Sequence, residues 1–430
     1  MKKLLLAGTA IAGVAVLATP AKADLKLDLG GHFRGYAVYA DNDETDTSAT
    51  SDTLRKFDFR RDFEIHFTGE TTTDSGLTVG VHAEIDLGNE SNDASVFSGG
   101  LPAPWTTTQD LDPNQLDEAY MYVSGGWGRV NFGSEDGAAY LLQVAAPSAD
   151  SNVDGMRVYV QGLNPDVWDD NVVNSSFGSF GAGAPYWNAF GVLGYDNAYF
   201  RDTDRISYLT PKWNGFQAGI SYAPEARQNA VDNAFGGMEL DDSSVDFENL
   251  WEVAARWDGE FEGFGISAGL GFSTAEAENS AAPGASNFGS DDISAWDAGL
   301  TVSWNDISVG IAYLAYTDTG ATPIVGGADA ETETWTVGAA WDNGPYHVGA
   351  SWYNQTIDGN AFGLSSTHGM ASGAAGAELD IERITIGGGY TYGPGMTFRG
   401  AVAFGDVERN FGPAGDVSFT QVTVGTDVNF

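Results

Sequence analysis

Residues 296 to 304 read Trp-Asp-Ala-Gly-Leu-Thr-Val-Ser-Trp, so a strand there would set Trp296, Ala298, Leu300, Val302 and Trp304 on one face and Asp297, Gly299, Thr301 and Ser303 on the other. At about 3.4 Å per residue and a tilt of about 40°, that strand rises roughly 21 Å, close to the ~25 Å apolar band of a membrane barrel between its aromatic girdles. A sandwich strand also alternates, but its outward face is the polar one and its ends need no amphipathic rings. The pattern recurs at Trp251, Val253, Ala255, Trp257 and at Trp335, Val337, Ala339, Trp341. Each copy runs into a tight polar turn: Trp257-Asp258-Gly259, Trp304-Asn305-Asp306 and Trp341-Asp342-Asn343-Gly344. Trp213-Asn214-Gly215 and Gly126-Trp127-Gly128 resemble them. The repeating unit is therefore a hairpin, and Trp127, Trp213, Trp257, Trp304 and Trp341 are expected to line one rim as an aromatic girdle.

Alternation of this kind predicts sixteen strands, at 25–40, 56–68, 77–87, 116–124, 128–134, 204–210, 215–223, 250–258, 264–273, 293–304, 307–316, 333–341, 345–354, 379–392, 395–405 and 417–430. Arg61 interrupts the apolar face of the second, marking either a bulge or a position shielded by a neighbouring subunit. Connections alternate between short turns and long loops, the loops falling at 41–55, 88–115, 135–203, 224–249, 274–292, 317–332, 355–378 and 406–416. A membrane barrel requires that asymmetry, with short turns on the periplasmic rim and long loops outside. The fold class expected is all-β, a closed antiparallel transmembrane β-barrel. Sixteen strands enclose a lumen too wide for side chains alone to fill.

The N-terminus changes the setting. Lys2 and Lys3 precede an apolar run from Leu4 to Leu17, and Ala21 and Ala23 occupy the small-residue positions that a signal peptidase needs. Residues 1–23 read as a secretory signal cleaved after Ala23, with 24–430 as the barrel domain. No other stretch approaches the roughly 18 apolar residues of a spanning helix. Lipid cannot satisfy an open sheet edge, so a membrane-patterned secreted chain of this kind has only a closed barrel available.

Cysteine is absent, which removes disulfides, thiolate nucleophiles and thiolate metal sites. The formal net charge of −41 argues against nucleic acid, whose binding needs clustered Lys and Arg. Acidic outer loops could bind divalent cations or cation-crosslinked lipid phosphates; solvated, charge-repelled loops are the simpler reading. Asp41 to Asp46 and Asp241 to Asp246 lack the ordered spacing and glycine of an EF-hand, so any Ca2+ there would be weak and loop-borne, and no cofactor is expected. An enzyme is not expected either, since His32, His66, His82, His347 and His368 show no motif spacing. His32, His66 and His82 do face inward on the first three strands, where they could hold a metal or a proton. Hydrogen-bonded wall histidines are the plainer alternative.

Several stretches resemble the general bacterial porins, particularly those of the alphaproteobacterial type. They are Thr72-Thr73-Asp74-Ser75-Gly76-Leu77, Asp117-Glu118-Ala119-Tyr120-Met121-Tyr122-Val123 followed by Gly128-Arg129-Val130, and Arg205-Ile206-Ser207-Tyr208-Leu209-Thr210-Pro211 running into Gly215-Phe216. Phe430, with Val428, Val424 and Val422, resembles the terminal strand by which the barrel-assembly machinery recognises its clients. The resemblance implies a Gram-negative outer-membrane homotrimer, embedded among lipid and lipopolysaccharide, that passes small hydrophilic solutes and ions by diffusion. It also implies a third loop folded into the lumen, with acidic residues facing a basic cluster on the wall. Here that loop is 135–203, longer than the family pattern.

Strand phase supplies the wall. Arg34, Arg60 and Arg399 point inward near the seam where last strand meets first, as the positive half of a constriction. Arg129, Arg205 and Arg256 also point inward but nearer strand ends, and each arginine could instead pair with a wall carboxylate, Arg60 with Asp58 or Asp62 for example. The third loop offers Glu135, Asp136, Asp150, Asp154, Asp166, Asp169 and Asp170. Carboxylates outnumber bases, which predicts cation preference. Trp168, Tyr186, Trp187 and Phe190 of the same loop either anchor it or stack on sugar rings, the latter giving a channel selective for sugars or organic cations. A plugged structural barrel is a third reading.

Overall fold

The computed structural model describes residues 26–44, 56–86, 116–149, 195, 203–225, 247–277, 292–317, 331–358, 378–409 and 417–430. The expected signal segment lies outside them. In chain order the strands are β1 (Lys26–Glu44), β2 (Phe57–Thr72), β3 (Thr78–Asp86), β4 (Leu116–Gly125), β5 (Gly128–Glu135), β6 (Thr203–Leu209), β7 (Phe216–Glu225) and β8 (Phe247–Phe261). There follow β9 (Phe264–Ala277), β10 (Ile293–Trp304), β11 (Ile307–Thr317), β12 (Thr332–Asn343), β13 (Tyr346–Asp358), β14 (Glu378–Gly393), β15 (Met396–Arg409) and β16 (Val417–Asn429). Each pairs antiparallel with its sequence neighbours, and β16 closes on β1, so no sheet edge remains. One helical turn, α1 (Ala138–Leu141), follows β5.

The alternation read from sequence is the alternation of the wall. On β10, Trp296, Leu300 and Trp304 are exposed on the outside, whereas Asp297 and Gly299 are buried on the inside. On β2, Phe57, Phe59 and Phe67 point out and Asp62 is buried within. Tight turns join the strands at one end. Asn305, with φ of 52°, lets Trp304 pair directly with Ile307. Strands outrun their expected limits mostly at the opposite end, β1 as far as Glu44 and β8 from Phe247, because ladder hydrogen bonds continue there without an alternating pattern.

The closing seam depends on one glycine. Gly31 exchanges two 3.1 Å backbone hydrogen bonds with Phe430, donating to its carbonyl and accepting from its N–H. Its φ of +146° is open to glycine, and a Cβ there would overlap the Glu64 carbonyl. Arg61 sits opposite Gly35 in an unbroken β1–β2 register and points outward with Phe59 and Phe63. That ladder contains no bulge, so this alternative for Arg61 is excluded.

Candidate pore lining

Beyond β5 the chain turns inward and runs along the inner wall. The Ala138 N–H donates to Ser221 Oγ at 2.8 Å, and the Ala139 N–H to Glu252 Oε2 at 3.4 Å. Arg205 holds Glu252 at 3.1 Å with both side chains buried, so α1 starts on a buried ion pair. Further along, Arg256 Nη1 donates to the Gln143 carbonyl (3.2 Å) and Thr301 Oγ1 to the Ala145 carbonyl (2.9 Å). His347 Nε2 lies 2.9 Å from the Ser148 carbonyl. Residues 138–149 thus cross the wall from β7 to β13. They fit because the wall is bare beneath them: inward positions include Gly219, Gly269, Gly299, Gly310, Gly338 and Gly349. A Cβ on Gly299 would overlap the Val144 carbonyl, and one on Gly338 the Pro147 carbonyl. Tyr195, later in the same connection, is buried against Ala295, Ala312, Leu314 and Tyr316, and its hydroxyl donates to the Tyr313 carbonyl at 3.2 Å.

Among the described residues, the inward segment covers β7 to β13, and charged side chains line the wall from β15 through the seam to β4. Arg399 Nε meets Asp427 Oδ2 at 2.5 Å, Tyr36 donates to the other Asp427 oxygen at 2.6 Å, and Arg34 Nη1 meets Asp62 Oδ2 at 2.8 Å. Arg60 lies 3.3 Å from Asp58. Arg34, Arg60 and Arg399 therefore gather at the seam, each paired with a carboxylate. Arg129 stacks over Tyr122 at 4.0 Å and donates to Asn131 at 2.6 Å. Beside Asp62 stand His32, Glu64, His66, Glu84 and His82, linked ring to carboxylate across β1, β2 and β3.

Glu135 changes role, and Arg205, expected to point inward near a strand end, does so beneath α1. Glu135 is buried at the end of β5, its two oxygens each 2.6 Å from Asn131 Nδ2, so it belongs to the wall and not to a lumen-facing loop surface. Arg205 is buried under α1 as an anchor and does not line the open lumen. Asp136 follows at the start of the inward turn, its N–H donating to Glu118 at 3.4 Å. Asp150, Asp154, Asp166, Asp169, Asp170, Trp168, Tyr186, Trp187 and Phe190 lie outside the described residues, as does His368. Sequence reasoning missed Ser221, Glu252 and Thr301 as loop anchors; one inward glycine on strand after strand was the signal available.

Trp127, Trp213, Trp304 and Trp341 are exposed at the short-turn end, and Trp257 is half-buried beside them. Trp127 stacks on Tyr208, Trp304 on Phe264, and Trp257 Nε1 donates to the Asn214 carbonyl at 3.1 Å.

Comparison with known proteins places this geometry. A family model described as Gram-negative porin matches residues 7–410. Among solved structures, an anion-selective porin from Comamonas acidovorans superposes with a TM-score of 0.55 at 16% identity, covering 95% of this chain and 100% of that one. Salmonella typhi OmpF in complex with daunomycin gives 0.53 at 16% identity, covering 94% and 98%. At these identities the likeness is one of fold. Curated relatives include uncharacterized proteins of Rickettsia prowazekii (25% identical over 187 residues, 40% of each chain) and Rickettsia typhi (25% over 262 residues, 56% of this chain and 52% of that one). The matched part spans about half or less of those relatives.

Proposed function

The chain belongs to the Gram-negative porin family, and on that premise we propose that it forms a passive, water-filled channel in the bacterial outer membrane. Small hydrophilic solutes and ions would cross it by diffusion, with preference for cations. One observation carries the reading: a closed barrel, apolar outside and lined by charged residues inside, whose described inward segment follows the wall from β7 to β13 while Arg–Asp pairs line the closing seam. No reaction is needed to explain these side chains, and none is proposed.

Cation preference rests on the seam side of the wall, where, among the described residues, Arg34, Arg60, Arg129 and Arg399 stand with Asp58, Asp62, Glu64, Glu70, Glu84 and Asp427. A lumen richer in carboxylates concentrates cations and depletes anions. In this reading residues 1–23 are the cleaved signal, the tryptophan rim faces the periplasm, and Phe430 is the mark read by the assembly machinery. Trimerisation would shield Arg61, a guanidinium otherwise costly in lipid. Acidic outer loops would meet lipopolysaccharide through shared divalent cations.

Liposome swelling tests the channel. Proteoliposomes should swell in small neutral sugars at rates that fall smoothly with solute size, and impermeable liposomes would indicate a plugged barrel. Saturable block of single channels by one sugar or organic cation would favour the selective alternative, with the binding site in the third loop.

A further inference from the structure

His32, His66 and His82 form a ladder on β1, β2 and β3, with neighbouring ring centroids 6.0 and 5.9 Å apart. A neutral imidazole carries one N–H and one lone pair. His66 nevertheless faces carboxylate oxygen from both nitrogens, Nε2 at 3.1 Å from Glu64 and Nδ1 at 3.3 Å from Glu84. His32 repeats the arrangement, Nε2 at 2.9 Å from Asp62 and Nδ1 at 3.5 Å from Glu64. With neutral rings, one nitrogen of each sets its lone pair against oxygen lone pairs. The cluster therefore calls for a cation. Asp62, Glu64 and Glu84 together carry more negative charge than Arg34 offsets.

From this geometry we infer that the ladder is a binding site for one divalent transition-metal ion of the zinc type. Two overlapping half-sites share His66: His32 with Glu64 and His66, and His66 with His82 and Glu84. In each, the candidate ligand atoms lie within 4.8 Å of one another. A tetrahedral zinc shell with bonds near 2.1 Å spaces its ligands roughly 3.4 Å apart. The nitrogen-to-oxygen distances of 2.8 to 3.5 Å along the ladder are already on that scale. Outer partners are also in place. Asp62 can accept the Nε2–H of His32 while Nδ1 binds metal, and Thr68 Oγ1, 2.8 Å from His82 Nδ1, leaves His82 Nε2 free to bind. His66, Glu64, His82 and Glu84 are all partly open to the lumen, so an ion can enter from water. Nitrogen-containing, three-ligand half-sites suit Zn2+, Cu2+ or Ni2+, whereas Ca2+ seeks six to eight oxygens.

The test is calorimetric titration of the folded full-length protein in detergent with ZnCl2. One Zn2+ per chain should bind saturably, in preference to Ca2+ and Mg2+, with affinity falling as pH drops because protons compete for the rings. His66→Gln should weaken binding at least about tenfold, the scale of losing even an outer partner, and His347→Gln on β13 should leave it unchanged. Heat-modifiable migration on gels would confirm that the variants fold. If His66→Gln does not fold, Glu64→Gln and Glu84→Gln serve in its place. Cu2+ loaded on the unaltered protein should show histidine nitrogen hyperfine splitting in its electron paramagnetic resonance spectrum. Absence of saturable Zn2+ binding below millimolar concentration would overturn the inference. So would binding indifferent to these variants. Conductance plays no part in the readout, so this site and the channel stand or fall separately.

Discussion

Arg34 sits between two acidic strands, bonded to Asp62 on β2 and registered opposite Asp427 on β16. Its charge is thus balanced locally but remains in the lumen. A unit charge felt across about 8 Å of water is worth about 0.5 kcal/mol, a factor of roughly two in ion partition. Cations gain the factor that anions lose, so Arg34→Gln should raise the cation-to-anion permeability ratio about fivefold, and Asp427→Asn should lower it by a similar factor, both read from reversal potentials. Inward direction at this scale was legible from phase alone, as Arg34, Arg60 and Arg399 demonstrate. The partners were less so, because cross-strand pairs depend on register: Arg399 lies opposite Gly425 yet reaches Asp427.

At the scale of elements, β10 records both solvents in a single strand. Leu300 stands midway between Trp296 and Trp304 on the outer face, where a charge meets the centre of the lipid. Leu300→Arg should cost about 2–4 kcal/mol, measured by urea titration of the refolded barrel in bilayers. On the inner face of the same strand, Gly299 lies under Val144. Gly299→Val should lift the inward segment off the wall, giving altered and noisier single-channel conductance while heat-modifiable folding survives. Unchanged conductance would mean that residues 138–149 do not shape the passage. The strands were readable because lipid and water impose opposite demands on alternate residues. The inward segment was not, since its anchors Ser221, Glu252 and Thr301 are ordinary lumen residues until a backbone arrives to bond them. The inward glycines held that information, but singly each reads as a pause in a strand.

At the scale of the whole molecule, closure organises the charge. Joining β16 to β1 brings Arg399, Asp427, Arg34 and Asp62 from opposite ends of the chain into one patch, and the inward segment covers the wall from β7 to β13. Among the described residues, backbone thereby lines one side of the barrel interior and paired charges the other. The overall charge of −41 gives the sign of the balance without locating it. Conductance of the reconstituted protein in a planar bilayer under a KCl gradient is the decisive measurement of that charge balance. A cation-preferring channel gives ohmic current and a reversal potential displaced toward the potassium equilibrium potential. A reversal potential displaced toward that of chloride, or a bilayer that stays closed, would contradict it.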